Sequence, residues 1–289
     1  MKFGVLSMNT DDGINPLTLA REAEDLGIES VFLPDHSHIP VHRDVRYGGP
    51  KQQFGDSPGD YPREYYRNRD QLLTLASMAA VTSTLNLGTG ICLVVQRDPI
   101  YLAKEVATID HLSNGRVLFG VGGGAPWNLE EMRHHGTDTR TRFALFRERV
   151  EAIKEIWTKE QAEYHGRFVD FDPIFSWPKP VQRPHPPILV GGRGPTVLDR
   201  VLAFGDGWMP GDWDDLGWLG ERIAELQERA AEAGRAPVEV TINRARLARV
   251  EDYLAVGASR CIVQLPTGAD DEVRRALREV GRVAESTNA

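Results

Sequence analysis

Cysteine is nearly absent. The 289-residue chain holds only Cys92 and Cys261, far apart and each inside an apolar run. Two thiols so placed do not make a disulfide framework, so a small stapled fold is excluded and a reducing, cytoplasmic setting is expected. Long apolar runs are missing as well: none approaches the roughly 18 residues a membrane helix requires. The opening Met1-Lys2-Phe3-Gly4-Val5-Leu6 turns polar at Asn9-Thr10-Asp11-Asp12, too early for a signal peptide. Positive charge is in deficit. A formal charge of −8 argues against general nucleic-acid binding, which depends on Lys and Arg neutralising phosphates. Metal-ligand clusters are also lacking. His36-x-His38 has ligand-like spacing, but no matching set accompanies it, and His134-His135 reads as a solvated helix surface. No membrane, nucleic-acid or metal partner is expected.

What is present is a repeated device: a helix ends on Gly, and a short apolar strand begins within a few residues. Ala23-Glu24-Asp25-Leu26-Gly27 leads to Ser30-Val31-Phe32-Leu33, and His111-Leu112-Ser113-Asn114-Gly115 leads to Arg116–Val121. Gly205 and Gly257 punctuate the later part in the same way. Gly is favoured just past a helix because that position usually needs φ > 0. Helix starts agree: Asn15-Pro16 and Asp98-Pro99 each pair a side-chain cap with Pro at the first helical position. The expected strands are Lys2–Met8, Ser30–Leu33, Leu87–Val94, Arg116–Gly122, Ile188–Gly191, Gly207–Met209, Val238–Ile242 and Arg260–Leu265. Short continuous apolar runs are what parallel strands buried on both faces look like. Eight βα units favour a closed (β/α)8 TIM barrel of the α/β class over an open doubly wound sheet.

The reading is one domain over residues 1–289. A lid-like loop falls at 36–68, and insertion segments at 123–140 and 161–187 are expected to form site walls at the C-terminal face. Within Arg43–Arg69, six basic residues stand against four acidic ones, interleaved with Tyr47, Phe54, Tyr61, Tyr65 and Tyr66.

Two Gly-rich turns carry the chemistry. Pro187-Ile188-Leu189-Val190-Gly191-Gly192-Arg193-Gly194-Pro195-Thr196 runs from strand to helix and leaves backbone N–H groups at a helix N-terminus, a good anion site. A tight turn needing Gly for geometry alone is the alternative. Gly120–Gly124 is not a dinucleotide fingerprint, because no acidic ribose partner stands where one should. It suits a strand end against which a flat ring lies. Gly88 and Gly90 inside an apolar strand mark a bulge or close backbone approach. Asp35 and His36 close the second strand. A His there can act as general acid or position a substrate, and a structural His bonded to a loop carbonyl is the other reading.

Seven blocks in order extend this. They are Leu33-Pro34-Asp35-His36; Leu87-Gly88-Thr89-Gly90-Ile91 with Arg97-Asp98-Pro99; Leu118 to Gly124; Tyr164-His165-Gly166-Arg167-Phe168; Pro178-Lys179-Pro180-Val181-Gln182; Pro186 to Gly192; and Gly205-Asp206-Gly207-Trp208. Across nearly the whole chain this resembles the luciferase-like monooxygenases, particularly the branch of oxidoreductases dependent on the deazaflavin coenzyme F420. The resemblance implies that Gly191, Gly192, Arg193 and Thr196 hold the cofactor's phosphate. It implies a cis peptide at Gly90-Ile91 under the central ring, Asn128 on the ring's pyrimidine edge, and Asp35 beside the cofactor. His36 is the implied catalytic residue. Some relatives carry a catalytic Glu directly after the glycine run; Ala125 stands there here.

The activity so implied is hydride transfer between coenzyme F420 and a small organic substrate. Arg97, Arg193 and the basic loop, Arg43 and Arg46 included, are candidate contacts for the cofactor's acidic tail. The nearest rival is an FMN-dependent two-component monooxygenase fed with reduced flavin. A non-catalytic flavin-binding protein is the alternative of another class. A phosphate-binding isomerase or aldolase would want Lys or paired carboxylates at strand ends, where this chain has Gly, Asn and Pro. A homodimer and a separate cofactor reductase are the expected protein partners.

Overall fold

The structure, a computed structural model, describes residues 1–41, 62–212 and 215–288. The chain alternates strand and helix: β1 (Lys2–Leu6), α1 (Pro16–Asp25), β2 (Ser30–Leu33), α2 (Gln71–Ala79), β3 (Asn86–Thr89), β4 (Cys92–Leu93), α3 (Pro99–Leu112) and β5 (Val117–Gly122). Then come α4 (Leu129–His134), α5 (Arg142–Thr158), β6 (Ala162–His165), β7 (Asp170–Ile174), β8 (Ile188–Gly191), α6 (Val197–Phe204) and β9 (Gly207–Met209). The last elements are α7 (Leu216–Glu232), β10 (Glu239–Asn243), α8 (Val250–Ala255), β11 (Arg260–Gln264) and α9 (Asp270–Asn288).

Counting β3 and β4 as one interrupted strand, eight parallel strands pair in a ring, with β3 and β4 both on β5 and β1 on β11. That is the expected (β/α)8 barrel. Its starts are built as the sequence indicates. Asn15 Oδ1 accepts from Leu17 N–H at 2.9 Å, and Asp98 Oδ1 accepts from Ile100 and Tyr101 N–H at 3.0 and 2.9 Å. Gly27, Gly115 and Gly257 have φ of +68°, +81° and +93° at helix ends. Gly205 differs: it is the C-cap residue at φ −91°, and packing explains it, because a Cβ there would come 2.6 Å from Val190 Cγ2.

Two cores result from strands buried on both faces. Between strands and helices lies the larger one, with Val5, Val31, Phe119, Val190, Val240 and Cys261. Inside the ring, Leu6, Phe32, Leu118, Leu189, Met209 and Ile262 fill the lumen, and half-buried Ile91 packs on top. Below them Arg260, 1% exposed, closes the N-terminal end. Its guanidinium donates to Glu29 at 2.8 and 3.0 Å and to Thr241 Oγ1 at 3.1 Å. The lumen is therefore a packed core, and only its C-terminal mouth can hold a ligand.

Two expectations need correction. The third strand is not continuous over Leu87–Val94: it breaks at Gly90-Ile91, whose peptide is cis, and resumes at Cys92. Segment 161–187 is not a site wall. It joins the end of α5 to the start of β8, so it lies at the N-terminal face, where Gln182 bonds to Asp110 Oδ1 and Val117 O at 2.7 and 2.9 Å. It also contains the antiparallel pair β6–β7. Of the lid-like loop 36–68, residues 42–61, including Arg43 and Arg46, lie outside the described residues.

Candidate active site

The mouth has one wall made of glycine. Residues β5 and β8 turn inward at this level are Gly122 and Gly191, and Ile91 lies across both. A Cβ on Gly191 would meet Ile91 Cδ1 at 2.0 Å, and one on Gly122 would meet Ile91 Cγ2 at 3.2 Å. Such a wall, free of side chains beneath a single branched residue, admits a flat ring against backbone. The segment carrying Ile91 is fixed below by Gly90 N–H donating to Leu33 O at 2.7 Å.

Beyond Gly191 the chain turns into α6. Gly192, at φ +125°, accepts from Trp208 Nε1 through its carbonyl at 3.0 Å, so the turn is pinned to β9. Thr196 stands at the N-cap of α6, and its Oγ1 accepts from Arg200 Nη1 at 2.7 Å. Arg193 stacks on the Trp218 ring at 4.6 Å. Beside this turn lies a feature that sequence reading missed. Arg142 and Arg200 both stack on Phe143, at 4.3 and 4.5 Å from its centroid. Neither makes an ion pair with any described residue. Burial lowers the pKa of both, and the charge of Arg142 adds to the effect on Arg200 against the opposing Asp199. Two desolvated cations beside free helix N–H groups are an anion cradle.

The other side of the mouth carries His36. Its Nδ1 lies 3.2 Å from Glu131 Oε2, with side-chain exposures of 10% and 1%. Glu131 Oε2 also accepts from Asn128 Nδ2 at 3.0 Å, and Asn128 Oδ1 accepts from Ala125 N–H at 3.1 Å. Tyr65 packs its ring 5.0 Å from the imidazole. His36 Nε2 has no protein partner among the described residues. Met8, Tyr65, Ile39 and Trp127 form an apolar cluster beside it.

The remaining candidates fall into place differently. Asp35 is a support. Its two oxygens take a bidentate grip from Arg97 at 2.7 and 3.1 Å, and Oδ2 also accepts from Leu93 N–H at 2.9 Å. Burial pushes its carboxyl up, but Arg97 and the Leu93 amide outweigh that and hold it below the usual carboxylate value. Arg97 is committed to this pair, which removes it from the candidates for a cofactor tail. Asn128 spends its amide on Ala125 and Glu131. His134 and His135 are exposed, as expected of a helix surface, but they are not idle: His134 Nδ1 lies 2.8 Å from His38 Nε2, and His135 Nε2 lies 2.7 Å from Ser37 Oγ. Among the described residues no three His, Cys, Asp or Glu converge on a metal position, and no helix is long and apolar enough to cross a membrane.

The glycine wall and the arginine pair fit a phosphate-bearing flat cofactor, and comparison with known proteins points the same way. A monooxygenase from Streptomyces bottropensis has the same fold, with a TM-score of 0.82 at 22% identity over the full length of both chains. The coenzyme F420-dependent tetrahydromethanopterin reductase of Methanopyrus kandleri superposes with a TM-score of 0.72 at 18% identity, covering 97% of each. In sequence, an uncharacterized Mycobacterium tuberculosis protein is 42% identical over 238 residues, 81% of this chain and 80% of its own length. The F420-dependent glucose-6-phosphate dehydrogenase of Kineococcus radiotolerans is 30% identical over 66% of this chain and 50% of its own. The FMNH2-dependent dimethylsulfone monooxygenase of Pseudomonas putida is 31% identical over 52% of this chain and 41% of its own. The luciferase-like monooxygenase family profile matches residues 1–281, and the chain belongs to that family, whose members include both F420- and FMN-dependent enzymes.

Proposed function

We propose that this chain is an oxidoreductase that binds coenzyme F420 at the barrel mouth and exchanges a hydride with a small organic substrate. The His36–Glu131 pair carries the reading. When an alcohol carbon gives up a hydride, its hydroxyl must lose a proton, and a neutral imidazole within hydrogen-bond reach of that oxygen takes it. His36 offers Nε2 for this step. Glu131, held by Asn128, accepts from Nδ1–H and stabilises the imidazolium that forms. In the opposite direction the imidazolium returns the proton to a carbonyl oxygen. The deazaflavin, when bound, supplies the two-electron hydride acceptor or donor.

The rest falls to the chain. Gly122, Gly191 and Ile91 would orient the ring. The α6 N-terminus with Thr196, Arg142 and Arg200 would hold the phosphate and the start of an acidic tail. Tyr65, Trp127 and Met8 would keep water from the reacting atoms. Two arginines without carboxylate partners among the described residues favour a cofactor that carries acidic groups beyond its phosphate, hence the deazaflavin over FMN. Turnover would need a separate enzyme to restore the cofactor's redox state.

The test is fluorescence titration of the apo protein with coenzyme F420 and with FMN, side by side. The deazaflavin should bind more tightly, its affinity should fall more steeply with salt, and Arg200→Ala should narrow the gap between the two. Tight FMN binding with oxygen-dependent product formation, and no deazaflavin binding, would sink the proposal and promote the two-component monooxygenase.

A further inference from the structure

Across from the glycine wall, the adjacent strands β10 and β11 bring two carboxamides to successive levels of the mouth. On β11, Ile262 belongs to the lumen cluster, so Gln264, two residues on, faces the same way one step nearer the opening. On β10, Thr241 receives Arg260 inside the ring, so Asn243 is its inward successor, and Asn243 pairs with Ile262. Asn243 Oδ1 and Gln264 Oε1 are both buried and have no hydrogen-bond partner among the described residues. An orphaned buried acceptor costs free energy that a ligand donor restores, and two on adjacent strands point to a built contact. Whichever way each amide is turned, it presents one donor and one acceptor. Its complement is therefore a group with both, an alcohol or an amide, and not a carboxylate.

The charges on this wall agree. Arg244 donates to Tyr65 Oη at 2.9 Å, and Arg246 and Arg249 pair with Asp212 at 2.5 and 3.1 Å. The cations here are already engaged, in contrast to Arg142 and Arg200 across the mouth. We infer that Asn243 and Gln264 are the substrate-recognition pair, and that the substrate is a neutral molecule carrying a hydroxyl or carboxamide group. The inference rests on the proposed function, because it assigns the glycine wall to the cofactor and leaves this wall to the substrate.

The test uses three probes of one ring skeleton: cyclohexane-1,2-diol, cyclohexanecarboxamide and cyclohexanecarboxylate. Each is titrated by saturation-transfer NMR into protein first saturated with coenzyme F420. The diol and the carboxamide should bind at least about tenfold more tightly than the carboxylate, the worth of one well-made buried hydrogen bond. Asn243→Leu and Gln264→Met, each close in volume to the residue replaced, should abolish that preference while deazaflavin affinity changes by less than about twofold. Three results would overturn the inference: equal or no binding of all three probes to the wild type, a preference that survives both substitutions, or loss of deazaflavin binding in the variants, which would make the amides cofactor ligands. Failure of the wild type to bind either cofactor would strike the proposed function itself, and this inference with it, before any probe is added.

Discussion

In the proposed mechanism Glu131 orients His36 as the base, and its contribution is separable. Replacing His36 with Asn removes the proton acceptor and should lower turnover by about 10²- to 10⁴-fold, the usual share of a general base. Deazaflavin affinity should stay nearly unchanged. Glu131→Gln keeps a partner at Nδ1 but no longer balances an imidazolium, so its loss should be smaller, and rate and affinity should again part company. Equal losses of rate and binding in His36→Asn would make His36 a cofactor ligand. His36 was legible in the sequence because it sits in a recognisable block at a strand end. Glu131 was not. In Glu130-Glu131 the sequence shows two acids in the first turn of a short helix, where any soluble helix favours them. Only the fold brings one of them across 95 positions to the imidazole. Arg142 and Arg200 were hidden for the same reason, since arginines on separate helices look alike until Phe143 is seen between them.

At the scale of elements, two glycines on neighbouring strands make opposite predictions from the same short distance. A Cβ on Gly120 would come 2.0 Å from Thr89 O, which is backbone; one on Gly191 would come 2.0 Å from Ile91 Cδ1, the end of a flexible side chain. Gly120→Ala should therefore destabilise by roughly 1–3 kcal/mol in urea unfolding. Gly191→Ala should unfold almost as the wild type does while weakening cofactor binding by about tenfold or more, as Ile91 swings into the ring's place. A stable Gly120→Ala would mean that the strands can shift.

A second element-scale prediction concerns the turn between α2 and β3. Glu24 Oε1, from α1, accepts from Ser83 and Leu85 N–H at 2.8 and 2.9 Å and from the Thr84 amide and hydroxyl at 2.5 and 2.9 Å. Burial pushes its carboxyl up, but these donors prevail and bring it down to about 2 from 4.5. A folded value below the unfolded one means the stabilisation is fully present above about pH 4.5 and is lost as pH falls toward 2. The gap in denaturation midpoint between wild type and Glu24→Gln should thus be widest near neutrality and shrink toward pH 2. A gap independent of pH would assign the effect to packing. Strands and caps were legible because apolar runs and Asn-Pro or Asp-Pro pairs act locally. The interruption at Gly90-Ile91 was legible too, from glycines inside an apolar strand and from the cis peptide the resemblance implies. The β6–β7 hairpin was not, because it pairs half-exposed strands such as Asp-Phe-Asp-Pro-Ile, which carry no apolar signal.

For the whole molecule, the division of the mouth is the organising feature: glycine with Arg142 and Arg200, which have no ion pair among the described residues, on one side, and carboxamides with engaged arginines on the other. The outer surface has its own asymmetry. Leu73 on α2 and Tyr101 on α3 are 73% and 74% exposed on helices that pack together. Large apolar side chains left out on neighbouring helices suit a partner, and a second copy of the chain is the expected one. Light scattering should give twice the chain mass, and Leu73→Arg with Tyr101→Arg should halve it. A monomeric wild type would refute the expectation.

Ring closure has a further consequence, and it falls on synthesis. β1 leaves the ribosome long before β11, yet one of its edges is covered only by that strand, with Lys2 paired to Arg260 and Leu6 to Gln264. At roughly 5–20 residues per second, the interval between making the two strands is on the order of tens of seconds. Throughout it, the nascent chain is an open sheet with two bare edges, each able to pair with a stranger. The finished ring has no edge to protect, so the hazard belongs entirely to the time before it closes. Whatever slows elongation, from rare codons to starvation, lengthens that exposure without altering a single contact of the mature fold.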